Sequence, residues 1–513
     1  MGTPHVVIVG AGVGGLVAAV DLAARGVAVT LLERAPTPGG KLREVHIGDA
    51  TVDAGPTVFT MRWVFDEIFA DAGASLDDHL HMEPAEILAR HAWSGSERLD
   101  LFADAAHSEA AIGDFAGAAA ARGFRDFRAR AQNIWRTLEH PFIRGHRPTP
   151  FSLVRGAGLR GIGDVWRISP FATLWSALGE HFADPRLRQL FGRYATYAGS
   201  SPFLAPATLM LIAHVEQGGV WLVEGGMQRI AEALAGLAVA RGARIRYAVR
   251  VDRVETTSGR ASGVVLADGE RIAADAVVFN GDVSAFAGGL LGRAAAGAAP
   301  AVAPAARSLS AVTWAMQARA RGFPLLRHSV FFSADYAGEF AELLRAGRLP
   351  GAPTVYVCAQ DRGGVDAAPP DGAERLLILV NAPANGDTTL FTDAEIAACE
   401  TATFSLLTRC GLTLERTPQA TVRTLPSDFE ALCPATGGAL YGQSVHGPMA
   451  SFRRPGARSK LPGLYLAGGS THPGAGVPMA ALSGRLAASS VLADLASTVR
   501  SRTAATRGGI STR

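Results

Sequence analysis

The chain has 513 residues, 48% of them hydrophobic and 19% charged, with a formal net charge of +3. A chain this long divides its interior among two or three lobes rather than one core, and so low a share of charge suits an enzyme with a large apolar interior or an apolar ligand. The positive charge is almost all arginine, Lys41 and Lys460 being the only lysines, and no dense basic run is interleaved with aromatics, which argues against nucleic acid as a partner.

The first sixty residues read strand, helix, strand: an apolar run at 6–9, a small-residue helix at 14–24 and a second apolar run at 27–32, which is a βαβ unit. Pro4 leads straight into the first strand with no basic stretch or cleavage pattern, so a cytoplasmic protein is expected. Gly10, Gly12, Gly14 and Gly15 stand between strand and helix, where a G-x-G-x-x-G has physical work to do. Its first glycine turns the chain, its second lets backbone approach a pyrophosphate at the helix N-terminus, and its third lets helix and strand pack closely. Glu33 ends the second strand, placed to accept hydrogen bonds from an adenosine ribose, with Arg34 beside it and Gly39, Gly40 and Lys41 close behind. Gly156, Gly158 and Gly161 repeat the spacing, but no apolar strand precedes them and Pro170 interrupts the segment after them, so this copy is read as a turn-rich loop.

Residues 62–215 read as helical and as a separate lobe, with Trp, Phe and Arg recurring among Ala-rich segments and no strand-like repeats. Within it, residues 142–175 set Arg144, Arg147, Arg155, Arg160 and Arg167 against the single acid Asp164, with Phe142, Phe151, Trp166, Phe171 and Trp175 interleaved. Arginine at lipid headgroups and aromatics at the interface are the chemistry of peripheral membrane docking; an ordinary helical cap gives the same pattern. No stretch is long and apolar enough to span a bilayer.

The nucleotide-domain style returns at Glu224: Gly225 and Gly226 precede a helix at 227–240, and strands come after it at 243–247, 251–256, 262–266 and 276–279, with Val251 a candidate cofactor contact. Residues 286–435 mix strands with a helix after Asp393 and are read as a substrate domain. Residues 436–496 end in a strand, a glycine-rich loop and an Ala-rich helix, and the tail from 497 is expected to fray. The dinucleotide domain is then discontinuous, made of residues 1–61, 216–285 and 436–496. Cys358, Cys399, Cys410 and Cys433 form none of the close pairs of zinc sites or redox dithiols, and the 13 histidines have no metal-ligand spacing, so buried thiols and no metal are expected.

FAD rather than NAD is indicated by a second glycine-rich segment far from the first, running through Gly468, Gly469, Gly476, Val477, Pro478 and Met479 into the last helix. Two distant glycine sites suit a long, extended cofactor, and the helix N-terminus there suits negative charge on a reduced isoalloxazine.

These segments resemble the bacterial carotenoid desaturases of the wider flavin amine-oxidase-like group. The resemblance rests on the N-terminal fingerprint, on Asp53, Gly55, Pro56 and Thr57, on Glu224 through Met227, on the stretch from Pro434 to Gly442, and above all on the loop Thr471, His472, Pro473, Gly474, Ala475, Gly476. Within the group, residues 55–65 and 193–202 look more like hydroxyneurosporene (1-hydroxycarotenoid 3,4-) desaturases of phototrophic bacteria than phytoene desaturases. The resemblance implies an α/β fold with a discontinuous Rossmann-type, amine-oxidase-like FAD-binding domain, a mixed α+β substrate domain and a helical membrane-facing lobe. It implies FAD-dependent desaturation of hydroxyneurosporene or methoxyneurosporene, with a carotenoid substrate, peripheral contact with the inner photosynthetic membrane, and oxygen or a quinone as electron acceptor. Phytoene desaturase is the alternative, followed by a carotenoid isomerase, an amine or porphyrinogen oxidase and a non-catalytic prenyl-lipid escort. In this setting His472 is placed near the flavin, either as a proton acceptor with an unperturbed pKa near 6.5 or as a brace for the loop against Pro473. The loop also departs from many flavoproteins, which carry an acid where Gly469 and Ser470 stand.

Overall fold

The computed structural model describes residues 3–146, 171–364 and 370–507, with side chains through residue 497. Its nucleotide-binding sheet is wholly parallel, in the order Arg244–Arg246, Ala28–Leu32, His5–Val9, Ala276–Phe279, Leu464–Leu466. These strands come from three separated parts of the chain, as a discontinuous Rossmann-type domain requires. His5–Val9 is central, with Val7 level with Thr30 on one side and Val277 on the other, and strands covered on both faces read as continuous Val/Ile/Leu runs. The helix Val13–Ala23 is buried along its whole length between the helices Gln228–Ala240 and Val477–Arg507. Where the first and last helices cross, a Cβ on Gly484 would lie 2.3 Å from the Gly14 carbonyl oxygen, so only glycine permits the approach. The last helix continues to Arg507, ten residues beyond the point where fraying was expected.

A second sheet, of eight strands, forms the floor of the substrate domain around the long strand Ser310–Gly322. On one side this strand pairs with Glu374–Ala382, then Val355–Ala359 and His328–Phe331; on the other it meets Leu412–Glu415 and Thr421–Thr424. The sheet is completed by Ile87–Ala92 and Arg98–Phe102, a hairpin from a region expected to be wholly helical. That expectation is corrected: Arg90 and Asp100 face each other across the hairpin at 2.6 Å, and the ion pair breaks the apolar alternation that would have marked the strands. Arg62–Asp71 is also not part of a separate lobe, because Val64, Phe65, Ile68 and Phe69 enter the nucleotide-domain core.

The helical lobe therefore begins at Ala105. Its long helix Ala118–Leu138 buries Phe124, Phe127, Ala131, Ile134 and Trp135 at three- and four-residue spacing, one apolar stripe on an otherwise polar helix. Phe127, Phe182 and Phe191 close the lobe's core with ring centroids 4.6 Å and 4.8 Å apart from Phe191. Cys358, Cys399 and Cys410 are buried, whereas Cys433 is half-buried on the wall of the main cavity.

Candidate cofactor and substrate site

A cavity of about 1290 Å3 begins at the carboxyl ends of the parallel strands and continues between the helical lobe and the second sheet. Gly10, Gly12, Gly14, Glu33, Arg34, Gly40, Lys41, Gly55, Pro56, Thr57, Val251, Gly468, Gly469, Gly476, Val477, Pro478 and Met479 all line it, so the two distant glycine segments and the turn at Thr57 meet on one wall. Gly15 does not line the cavity; a Cβ there would lie 2.1 Å from the Gly10 carbonyl oxygen, which makes it the glycine of helix–strand packing. Gly55 is likewise fixed as glycine by a close backbone approach, because its Cβ would fall 1.9 Å from the Lys41 carbonyl oxygen.

The residues present fit an FAD. No side chain caps Gly12, so the first N–H groups of Val13–Ala23 face a ligand position with the positive end of the helix dipole behind them. The Glu33 carboxylate, 8% exposed, is held by the Ala11 and Ala35 N–H groups at 2.6 Å and 2.8 Å and lines the cavity. Arg34 and Lys41 are engaged elsewhere: Arg34 donates to the Leu432 carbonyl and Lys41 to the Leu440 carbonyl at 2.5 Å, tying residues 432–440 across the cavity. Both are fasteners of this wall.

Sequence reasoning missed Asn280 and Asp282, which come just after the strand Ala276–Phe279 and carry no motif. The Asn280 Nδ2 donates to the Gly10 carbonyl at 3.2 Å, and its side chain is what a Cβ on Gly12, Gly14 or Gly468 would strike. Asp282 answers the missing acid of the C-terminal loop. Its Oδ1 accepts from the Ser284 N–H, its buried Oδ2 has no partner, and the next residue's N–H donates to Ser470 Oγ at 3.1 Å. A carboxylate-bearing residue thus reaches the cofactor wall from another segment. Buried Arg454 pins the loop through the Gly469, Tyr441 and Gln443 carbonyls, and burial lowers its pKa to about 10.

His472 turns away from this wall. It is 2% exposed and absent from the cavity lining, its Nε2 is 3.0 Å from the Gly145 carbonyl oxygen, its N–H donates to Pro455, and its ring meets Phe142 edge-on at 4.9 Å. The reading of His472 as proton acceptor gives way to the bracing role. Arg144 is likewise engaged: its guanidinium stacks 4.0 Å from the Trp63 ring centroid and pairs with Glu67 and Glu139 at 3.1 Å and 3.3 Å. Arg147, Phe151, Arg155, Arg160, Trp166 and Arg167, and the repeated glycine spacing at 156–161, lie outside the described residues.

Beyond Thr57 the cavity is an apolar chamber walled by Leu138, Phe142, Leu209, Ile212 and Val215, with a cluster of polar groups set into it. Tyr194 and Tyr197 both donate to the buried Glu216 carboxylate, Tyr197 at 2.8 Å, and Arg193 Nη2 donates to the Tyr197 hydroxyl at 3.2 Å. Burial works against the Arg193 charge, but Tyr197 and the Glu216 carboxylate more than offset it and hold its pKa above the ordinary arginine value. Across from them Thr57 Oγ1 and His328 Nδ1 each lie 2.7 Å from the Tyr356 hydroxyl.

Glu339 braces the chamber from behind: its Oε2 accepts from the Thr354 N–H and hydroxyl, its Oε1 from Asn381, and both partners line the cavity. Burial outweighs these bonds and raises its pKa to about 7 from 4.5. The folded state therefore binds a proton that the unfolded chain releases, and this group's contribution to stability falls as pH rises from 4.5 to about 7. Relative to wild type, Glu339→Gln is expected to gain on the order of 3 kcal/mol across that window. Parallel thermal midpoints through this pH range, with no change in their difference, would sink the idea.

Comparison with known proteins agrees with this architecture. Residues 8–70 match an NAD(P)-binding Rossmann-like domain and residues 165–492 match the flavin containing amine oxidoreductases. The chain is 56% identical to the hydroxyneurosporene desaturase of Rubrivivax gelatinosus, covering 100% of this chain and 97% of that one. It is 47% identical to that of Cereibacter sphaeroides, covering 97% and 99%, and 28% identical to a lycopene-forming phytoene desaturase of Paracoccus sp., covering 96% and 98%. Among solved structures, an oxidoreductase from Methanosarcina mazei shares the fold at a TM-score of 0.58 and 18% identity, covering 94% of this chain and 99% of that one. A putrescine oxidase variant does so at 0.59 and 14%, covering 96% and 99%. The chain belongs to the flavin-containing amine oxidoreductase family.

Proposed function

We propose that the protein is an FAD-dependent carotenoid desaturase that introduces the 3,4 double bond of a 1-hydroxycarotenoid such as hydroxyneurosporene. The observation that carries this reading is the continuous cavity, which joins a dinucleotide cradle to a long apolar chamber, in a chain 56% identical over its full length to a hydroxyneurosporene desaturase. FAD, when bound, supplies a hydride acceptor. Glu33, the N-terminus of Val13–Ala23, Asp282 and the loop from Gly468 to Met479 would hold it.

The reaction removes a hydride and a proton from adjacent carbons. A neighbouring polyene spreads the positive charge left behind, so the chain's main tasks are alignment and exclusion of water. The chamber performs both through its apolar walls, with the helical lobe as roof and the second sheet as floor. The decisive test is anaerobic incubation of the FAD-loaded protein and liposomes with phytoene, neurosporene or 1-hydroxyneurosporene separately. Flavin bleaching and a product two hydrogens lighter are expected with 1-hydroxyneurosporene; bleaching with phytoene alone would overturn the assignment.

A substrate of this kind is dissolved in lipid, and the reading extends to peripheral docking on the cytoplasmic face of the inner membrane, with oxygen or a quinone taking the electrons. Among the described residues no helix is long and apolar enough to cross a membrane. Exposed Phe171 and Met449, 68% and 44% accessible, sit on the cavity's edge, and Leu204, 47% accessible, is bonded through its carbonyl to Gly447 nearby. Apolar side chains at the mouth of a lipid-ligand cavity support entry from a bilayer. Phe171→Glu with Met449→Glu is expected to lower liposome co-sedimentation about tenfold; unchanged co-sedimentation would remove this docking face.

A further inference from the structure

A chamber meant only for hydrocarbon has no use for polar groups, since each one buried without a partner costs stability. This chamber holds several. Arg193 lines it with its Nε unpartnered and its Nη2 on Tyr197, and Thr57 and Tyr356 present hydroxyls to it while backed by His328. Burial, followed by the charges of Arg327 and Arg193, lowers the His328 pKa to about 3, so the imidazole is neutral and carries one N–H. With that proton on Nδ1, Tyr356 accepts from His328 and donates to Thr57, whose own hydroxyl hydrogen is left for the cavity. With it on Nε2, Tyr356 donates to His328 and accepts from Thr57, whose oxygen is left as an acceptor for the cavity. Either way the chain of hydroxyls ends in an open valence facing the ligand.

Position sharpens the point. Thr57 lies two residues from Gly55, on the turn that joins the cofactor stretch of the cavity to the chamber. In a 1-hydroxycarotenoid the oxygen is only two carbons from the bond being desaturated, so whatever recognises it must stand beside the reacting end of the cofactor. We propose that the Thr57–Tyr356 hydroxyl pair, with Arg193 and Tyr197 beside it, receives the terminal oxygen of the substrate and determines specificity for hydroxylated over plain polyenes. This inference rests on the desaturase reading above. A site built to bond a hydroxyl rejects the analogue that lacks one, because its own polar groups are then left unpaired.

The test uses the FAD-loaded protein and compares kcat/KM for 1-hydroxyneurosporene and neurosporene, each normalised to bound flavin. Wild type is expected to favour the hydroxylated substrate, and Tyr356→Phe to lower that preference about tenfold, mainly through KM. Tyr197→Phe provides the same reading from the other side of the nest should Tyr356→Phe fail to retain flavin. An unchanged preference in these variants, or an equal proportional loss on both substrates, would overturn the site. Wild type that desaturates both substrates equally well also overturns it, while leaving the desaturase reading standing. Wild type that desaturates neither brings down that reading and the recognition site with it.

Discussion

Gly15→Ala is expected to purify without bound flavin, or with less than about a tenth of the wild-type content. The added Cβ would lie 2.1 Å from the Gly10 carbonyl oxygen and 3.0 Å from Asn280 Nδ2. The first obstacle is backbone, and it is the turn of the phosphate cradle itself. Relief requires the helix Val13–Ala23 to move off the strand His5–Val9, but that helix is fully buried between two others. Overpacking of a closed interior costs roughly 1–3 kcal/mol, and here the displacement falls on the N–H groups that would hold the pyrophosphate. Gly236→Ala is the matched control. It lies inside Gln228–Ala240 with nothing within 4 Å of its added Cβ, so it is expected to stabilise by about 0.5–1 kcal/mol and keep full flavin content. Flavin absorbance per mole of protein separates the two, and a yellow Gly15→Ala protein with a wild-type thermal midpoint would contradict this packing role.

The same glycine shows why the dinucleotide domain was legible from sequence. Its strands are central, parallel and covered on both faces, so the strands at 5–9 and 28–32 stand out as largely apolar runs, broken only by His5 and Thr30, on either side of a small-residue helix. The second sheet hides its strands by opposite means. Ser310–Gly322 is buried along most of its length, leaving little alternation to read, and the hairpin of Ile87–Ala92 and Arg98–Phe102 carries an ion pair where apolar residues would have marked it. Such strands are strands because of what packs on them, and that information is spread over much of the chain.

The site divides along the same line. Glycines and Glu33 announce themselves, because a close backbone approach or a strand-ending acid leaves a local pattern. Asn280 and Asp282 leave none; the importance of Asn280 comes from Gly10, Gly14 and Gly468, and that of Asp282 from a place on the cavity wall beside the Ser470 loop, which only the fold brings to them. His472 and Arg144 fail in the reverse direction. Each sits in a suggestive stretch, but the first is turned onto the Gly145 carbonyl and the second is spent on Trp63, Glu67 and Glu139. A residue's type and neighbours in sequence do not say which way its side chain faces.

Glu216→Ala is expected to destabilise the protein by about 3–5 kcal/mol, a drop in thermal midpoint of about 3–5 °C. Glu216 is 3% exposed and accepts from both Tyr194 and Tyr197, and through Tyr197 it balances the buried Arg193 cation. Its removal strands one positive charge and leaves two hydroxyls without their acceptor. Glu216→Gln keeps an acceptor but not the charge, and should fall between the alanine variant and wild type. Pairing Glu216→Leu with Arg193→Met removes both charges, and buried ion pairs replaced by apolar groups of similar size are commonly neutral or better, so most of the lost stability should return. Equal stability of Glu216→Ala and wild type would show that Arg193 is balanced by something else. The recovered double variant also carries the sharper consequence. A double variant as stable as wild type would mean that the charge pair is not kept for stability, as the proposed recognition of a substrate oxygen requires.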